Sequence, residues 1–244
     1  MGRLIAFGCS NTFGQALPDV WDFNKNKPVD KTPSKYAWPQ LLADKLNFEC
    51  VNNGIQGNSP KDTWWLVMNF SFKDNDIVTI LWPHIFRTTF FTEPTAENNR
   101  WYHEPLWPSF SGRWENHKQV RIWTAKQQET GNETWSQQHS KYYIKHYQFY
   151  LDCILDLYVR ADQIRHFLGK KCLKNVHVLS HENINVVDNY MEDKNKFHIE
   201  NIDMSFIKSF KYWHHDFLDY GLDNLHPGKK THEMIADCMY KELC

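Results

Sequence analysis

Leu4-Ile5-Ala6-Phe7-Gly8-Cys9-Ser10-Asn11-Thr12-Phe13-Gly14 is the stretch on which the reading of the fold turns. An apolar run of strand length meets a glycine, then Cys9-Ser10, then a polar turn and a second glycine. Apolar residues at every position, rather than at every second one, describe a strand buried on both faces, as in a parallel sheet covered by helices. Gly8 and Gly14 let the backbone turn sharply after that strand. Ser10 then falls just beyond the strand's carboxyl end, the rim where open α/β sheets bind ligands. A serine at that rim is a candidate nucleophile. Serine in a glycine-bounded turn is also an ordinary turn or capping residue, so this stretch alone leaves both readings open.

Outward from it, strands and helices alternate. Tyr36, Trp38, Leu41, Leu42 and Leu46 recur at helical spacing, with Ser34 as the expected cap and Pro39 in the first turn. Residues 48–51 predict a second strand, which runs into a loop holding Gly54 and Gly57. Ser59 and Pro60 supply the cap and first position of a helix reaching about Phe70. Residues 76–82 predict a third, buried strand ending at Pro83-His84. Tyr147, Leu151, Ile154, Tyr158, Ala161, Ile164 and Leu168 line one face of a helix over 141–168, with Gly169 as its stop. Residues 176–180 predict a fourth strand, residues 204–210 a short helix, and the chain closes with a helix from about Lys229. Met234, Ile235, Cys238 and Met239 are its expected inward face. The alternation implies a parallel sheet with helices on both faces.

Residues 88–140 break this rhythm, with Trp101, Tyr102, Trp107, Trp114, Trp123 and Trp135 set among polar residues and no lasting period. A structureless loop of that length is unusual in a compact domain. The expectation is therefore one domain over 1–244 with an insertion at about 88–140 that lies over the site as a cap or lid; its rings form a small aromatic core or, where exposed near Ser10, a surface suited to stacking against sugars.

Composition narrows the function. Lys and Arg number 28 against 29 Asp and Glu, which argues against the basic excess of a nucleic-acid binder. No apolar stretch approaches a membrane span. Met1-Gly2-Arg3 leads straight into the first strand, so no signal peptide is expected. Six cysteines without a C-x-x-C pair read as reduced thiols of a reducing compartment. Among 13 histidines, His214-His215 and His177 with His181 are the nearest groupings. Neither has regular ligand spacing with an acidic partner, and no metal is expected. His232, in the last helix, is expected at the surface.

The far end of the chain carries Asp223-Asn224-Leu225-His226-Pro227-Gly228. Asp and His three apart in a loop can share one side of a turn, and Pro227 restricts the backbone after the histidine. A serine nucleophile needs such a pair: a neutral imidazole to take its proton and a carboxylate to hold the ring's tautomer. Taken together, three loops resemble those of the SGNH hydrolases, also called GDSL esterases and lipases. They are Phe7-Gly8-Cys9-Ser10-Asn11-Thr12-Phe13-Gly14, Val51-Asn52-Asn53-Gly54-Ile55-Gln56-Gly57-Asn58-Ser59 and Asp223-Asn224-Leu225-His226-Pro227.

The resemblance implies a three-layer α/β/α flavodoxin-like fold and a serine esterase acting on small acyl esters, of acetyl type, on a carbohydrate or similar alcohol. It implies Ser10 as nucleophile, His226 as base, Asp223 as its orienting acid, and the amides of Ser10 and Gly57 as oxyanion donors. No cofactor is implied. The expected partner is a small-molecule or glycan acyl ester, not nucleic acid or membrane. Two departures stand out. The Asp that usually precedes the nucleophile is Cys9, and the family's Gly-x-Asn-Asp block is replaced by Leu81-Trp82-Pro83-His84-Ile85-Phe86-Arg87. His84 falls nearest the missing asparagine, an oxyanion donor, with Arg87 second; Asn58 and Arg87 are candidate substrate contacts. The Gly-Cys-Ser block and the Arg after the third strand are similar to divergent, phage-like members, so a cytoplasmic or virion-associated protein is expected. A non-catalytic glycan-binding module on the same fold and an O-acyltransferase are the alternatives. An organophosphate probe is expected to label Ser10; peptide mass spectrometry placing the adduct on Ser59 or Ser180 would overturn the nucleophile assignment.

Overall fold

The computed structural model describes residues 2–25, 27–29, 32–85, 87–92, 118–122, 150–171, 173–179, 203–208 and 217–244. Strand β1 (Arg3–Gly8) is followed by a one-turn helix α1 (Ser10–Phe13) and a small antiparallel pair, β2 (Trp21–Asp22) with β3 (Lys27–Pro28). Next come α2 (Trp38–Leu46), β4 (Glu49–Gly54), α3 (Pro60–Met68) and β5 (Ile77–Trp82). An antiparallel pair, β6 (Thr88–Thr92) with β7 (Lys118–Ile122), precedes α4 (Tyr150–Lys170), β8 (Lys174–Leu179), β9 (Ile207–Lys208) and α5 (Lys229–Leu243). Apart from β6 and β7, the insertion and its tryptophans lie outside the described residues, as do residues 141–149 of the expected long helix.

Five parallel strands form the central sheet in the order β4-β1-β5-β8-β9. This is the flavodoxin-like order, in which the chain leaves β1 in one direction and then crosses back over it. Right-handed crossovers in opposite directions place their helices on opposite faces. Accordingly α2 packs with α5, and α3 with α4. The fold is thus α/β with three layers, as expected. Leu4, Ile5, Ala6 and Phe7 are all wholly buried, because β1 has helices on both faces. Phe7 meets the α3–α4 layer through an aromatic chain: Phe70 lies 5.6 Å away edge-on, Phe72 lies tilted 4.8 Å from Phe70, and Phe167 of α4 lies 6.3 Å from Phe72. On the other face Trp38, Leu42, Ile235 and Met239 join the same core.

Local signals resolve as follows. Ser59 caps α3 with a full capping box, its hydroxyl taking the Asp62 N–H at 3.2 Å while Asp62 takes the Ser59 N–H at 3.0 Å. Ser34 does not cap α2. Its hydroxyl donates to Asp19 at 2.5 Å and accepts the Tyr36 N–H at 3.0 Å, and Ala37 holds the cap position. Gly169 lies inside the last turn of α4, where a Cβ would meet open space. Within the expected short helix at 204–210 the described residues hold instead the edge strand β9, with Ile207 and Lys208 paired to His177 and Val178; residues 209 and 210 lie outside the described residues. A run that short carries no decisive period, and the open edge of β8 provides the hydrogen bonds. Among the described residues no helix is long and apolar enough to cross a membrane.

Among the described residues two histidines are wholly enclosed, and His232 is one of them rather than a surface residue. Its Nδ1 accepts the Trp38 N–H at 3.1 Å, so α5 satisfies one of the N–H groups that the start of α2 leaves without a helical partner. Burial holds the His232 pKa down to about 3, against the pull of Asp219 and with the repulsion of His226. His177 packs between Trp82 at 5.9 Å and Phe206 at 5.6 Å. Burial, helped by Arg165, lowers its pKa to about 3 as well.

An unfolded imidazole titrates near 6.5, so between about pH 6.5 and 3 the unfolded chain binds protons that the folded one refuses. The stability that these two groups confer is present above about pH 6.5 and is lost as pH falls toward 3. Each group contributes a slope of up to about 1.4 kcal/mol per pH unit. Urea unfolding of His177→Leu is expected to show a shallower acid decline than wild type; an unchanged slope would remove His177 from this account.

Candidate active site

The site grows from the close approach of the chain after β1 to the end of β4. Gly8 and Gly54 stand side by side in the parallel register. A Cβ on Gly54 would lie 2.3 Å from the Phe13 backbone nitrogen, so α1 can rest against β4 only where that side chain is missing. Asn52 locks the contact: its amide donates to Thr12 O at 2.7 Å and its side-chain oxygen accepts the Gly54 N–H at 2.8 Å. Ser10 is the first residue of α1 and is 4% exposed. Its carbonyl takes the N–H groups of Gly14 and Gln15 at 2.9 and 3.0 Å. Its own N–H is one of the helix-start donors without a helical acceptor.

Beyond β4, the Asn58 N–H closes on Ile55 O at 3.1 Å, with Gly57 at φ +72° in the third position of the turn. That left-handed position favours glycine. Among the described residues no acceptor takes the Gly57 N–H. Asn58 is wholly buried and its amide hydrogens go to Gly8 O and Thr63 Oγ1, each at 3.1 Å. The side chain thus ties the second loop to the end of β1.

At the end of β5, the Arg87 N–H donates to His84 O at 3.0 Å, folding the chain back on itself. The Arg87 guanidinium reaches Asn58 O at 3.5 Å, next to Gly57. His84 and Arg87 are both half-buried.

Asp223 and His226 are joined twice. The ring Nδ1 lies 2.5 Å from Asp223 Oδ2, and the His226 and Leu225 N–H groups donate to Oδ1 at 3.0 and 2.9 Å. Burial alone would raise the Asp223 pKa. The hydrogen bonds from the His226 ring and backbone, the charge of His226 and the Leu225 N–H outweigh it, and the carboxyl ionises below its ordinary range. The loop closes through Gly221 N–H to His226 O at 2.8 Å and Gly228 N–H to Asp219 O at 2.9 Å, with Tyr220 paired to Pro227. The Leu222 N–H donates to Ala16 O at 2.8 Å, which ties the loop to the segment that follows Ser10.

The structure therefore brings Ser10, Gly57, His84, Arg87, Asp223 and His226 to the carboxyl edge of one parallel sheet. Among the described residues no hydrogen bond joins Ser10 Oγ to the His226 ring, and no group of three or more His, Cys, Asp or Glu could hold a metal ion. His181, His214 and His215 lie outside the described residues. Sequence reasoning missed Asn52, Ala16 and Gly221 as parts of the site. The asparagine at the close of a strand was a visible signal for Asn52. Ala16 and Gly221 carried none, since their contact spans most of the chain.

No family model matches the chain, and no curated protein matches it. Some solved structures are similar to it. One is a carbohydrate esterase whose active site is described as displaying divergent catalytic and non-catalytic binding functions. It is 12% identical over 99% of this chain and 64% of its own, with a TM-score of 0.51. Another is a member of the lipolytic protein G-D-S-L family from Veillonella parvula DSM 2008, 11% identical over 100% and 97% of the two chains, with a TM-score of 0.44. A third is an acetyl xylan esterase from the rumen bacterium Butyrivibrio proteoclasticus, 13% identical over 99% and 63%, with a TM-score of 0.42. At these identities the likeness is one of fold, a three-layer α/β/α fold.

Asn58→Ala would leave Gly8 O and Thr63 Oγ1 short of a buried donor. It is expected to cost about 1–3 kcal/mol, read as a lower urea midpoint; an unchanged midpoint would show that Asn58 does not hold the two loops together.

Proposed function

We propose that the chain is a serine esterase that hydrolyses small acyl esters, of acetyl type, carried on a carbohydrate or similar alcohol. The observation that carries this reading is the Asp223–His226 pair at 2.5 Å, on a loop tied to the segment that follows Ser10. Asp223 holds His226 through Nδ1. The ring's Nε2 takes the Ser10 proton as Oγ attacks the ester carbonyl. The tetrahedral intermediate collapses when His226 returns that proton to the leaving alcohol, and water then repeats the sequence on the acyl-enzyme. The N–H groups of Ser10 and Gly57 are the oxyanion donors. Arg87 replaces the missing asparagine as a third donor ahead of His84, because its guanidinium already reaches the carbonyl next to Gly57. The scheme uses no cofactor. The carbohydrate part of the reading is supported by the fold neighbour's description as a carbohydrate esterase.

A second reading, a glycan-binding module without catalysis, is favoured by two specific facts. The third block lacks its asparagine, and no hydrogen bond links Ser10 Oγ to His226 among the described residues. Contacts between catalytic groups often tighten only when substrate is bound, so the second fact does not decide between the two.

Chromogenic acyl esters of rising chain length, given to wild type and Ser10→Ala together, separate these readings. Turnover in wild type that vanishes in Ser10→Ala is expected. Absence of turnover in both favours the binding module, and turnover that rises with added acceptor alcohol favours an acyltransferase. Arg87→Ala is expected to lower kcat by about 10²–10³ with KM little changed, while His84→Ala stays within a few-fold. The reverse pattern assigns the third donor to His84.

A further inference from the structure

The loop bearing Asp223 and His226 holds its own shape and meets the nucleophile's segment at Ala16. Its internal closure is the Gly221 and Gly228 hydrogen bonds described above, reinforced by Asp219, whose carboxylate takes the Thr231 and Lys230 N–H groups at 2.9 and 3.1 Å. None of these bonds reaches Ser10. The link to Ser10 is separate: Leu222 N–H to Ala16 O at 2.8 Å, with Gly221 pressed on Ala16. A Cβ on Gly221 would lie 2.9 Å from the Ala16 methyl and 3.0 Å from Ala16 O. Ala16 is wholly buried and left-handed, with φ +66°, a conformation that glycine would adopt more easily. It follows Gly14 and Gln15, whose N–H groups both bond to Ser10 O.

We propose that the Ala16–Gly221 contact is the spacer that sets the separation of His226 from Ser10, and that it does so independently of the Asp223–His226 pair. One methyl group stands between the two backbones, on Ala16 and not on position 221. With two methyls the loop must move away; with none it settles inward. The dyad travels with the loop unchanged in either case. The kinetic consequence rests on the esterase reading; the spacing does not. Ala16 and Gly221 are positioning residues, since neither has a side-chain group that could touch a reacting atom.

Three variants test this: Gly221→Ala, Ala16→Gly, and the two combined, which moves the methyl to the other backbone. Their crystal structures give the Ser10–His226 and Asp223–His226 separations. Fluorophosphonate labelling of Ser10 gives the reactive alignment, and the downfield proton resonance of the His226–Asp223 hydrogen bond reports the dyad. Gly221→Ala is expected to lengthen the first separation, keep the second and the downfield proton, and slow labelling by about 10–100-fold, as a misplacement near 1 Å does. The combined variant removes the contact between the two methyls but keeps the one with the carbonyl oxygen of residue 16, so it is expected to recover part of that loss, which independent effects would not produce. Wild-type spacing in Gly221→Ala overturns the proposal, as does loss of the downfield proton together with labelling and no recovery in the combined variant. If Gly221→Ala does not fold, Ala16→Gly adds no atom and still reads the spacer. It is expected to slow labelling at least about threefold, and wild-type labelling and spacing in it overturn the proposal. A wild type that does not label would end the esterase reading, while the crystallographic spacing would still decide this one.

Discussion

A missing Cβ is the constraint on which the arrangement depends. At Gly54 the backbone of β4 comes so close to Phe13 that a side-chain atom would stand 2.3 Å from a backbone nitrogen. No rotamer change relieves a clash with backbone, so α1 can lie against the sheet only over a glycine. The direction of α1 then determines where Ser10 sits, and Asn52 holds it there with one bond to each side of the contact. Everything at the rim is measured from that approach.

Asparagines do at this rim what regular secondary structure does elsewhere. The end of a parallel strand exposes carbonyls and N–H groups that no neighbour completes. Gly8 O receives the Ile55 N–H and the Asn58 amide, both at 3.1 Å, and so two loops are bound to one strand end. Among the described residues the Gly57 N–H has no acceptor, in the same turn that binds its neighbour, Asn58, inward. Structural bonding and an available donor thus arise from adjacent residues of one turn. At the other loop, the hydrogen bonds that lower the Asp223 pKa against burial also fix the orientation of the His226 ring. An ionised acid and an oriented base are one consequence of that bonding.

The departures from expectation share a physical origin. Ser34, His232 and residues 204–210 were each read from local signals, and each was claimed by a partner distant in sequence. Asp19 takes the Ser34 hydroxyl, Trp38 engages the buried His232, and the edge of β8 draws Ile207 and Lys208 into the sheet. A serine before a helix, a histidine on a helix and a two-residue strand are weak signals locally, and a single strong tertiary bond reverses them. Where several local signals agreed, as at Ser59-Pro60 with Asp62, the structure follows them.

The sequence by itself determined the layered α/β class, the places of the four longer strands, and the candidate residues Ser10, Gly57, Asp223 and His226. Those features are written in short-range terms: continuous apolar runs where both faces are buried, glycines where the chain must turn, and an acid three residues from a histidine. Tertiary structure alone decided the order of the strands, the fifth strand, the inward role of Asn58, the reach of Arg87 to Asn58 O, and the seating of the Asp223–His226 loop on Ala16. Each of these depends on which segments meet across tens to hundreds of residues. Such meetings are settled by crossover handedness and by close backbone contact, and neither leaves a periodic trace along the chain.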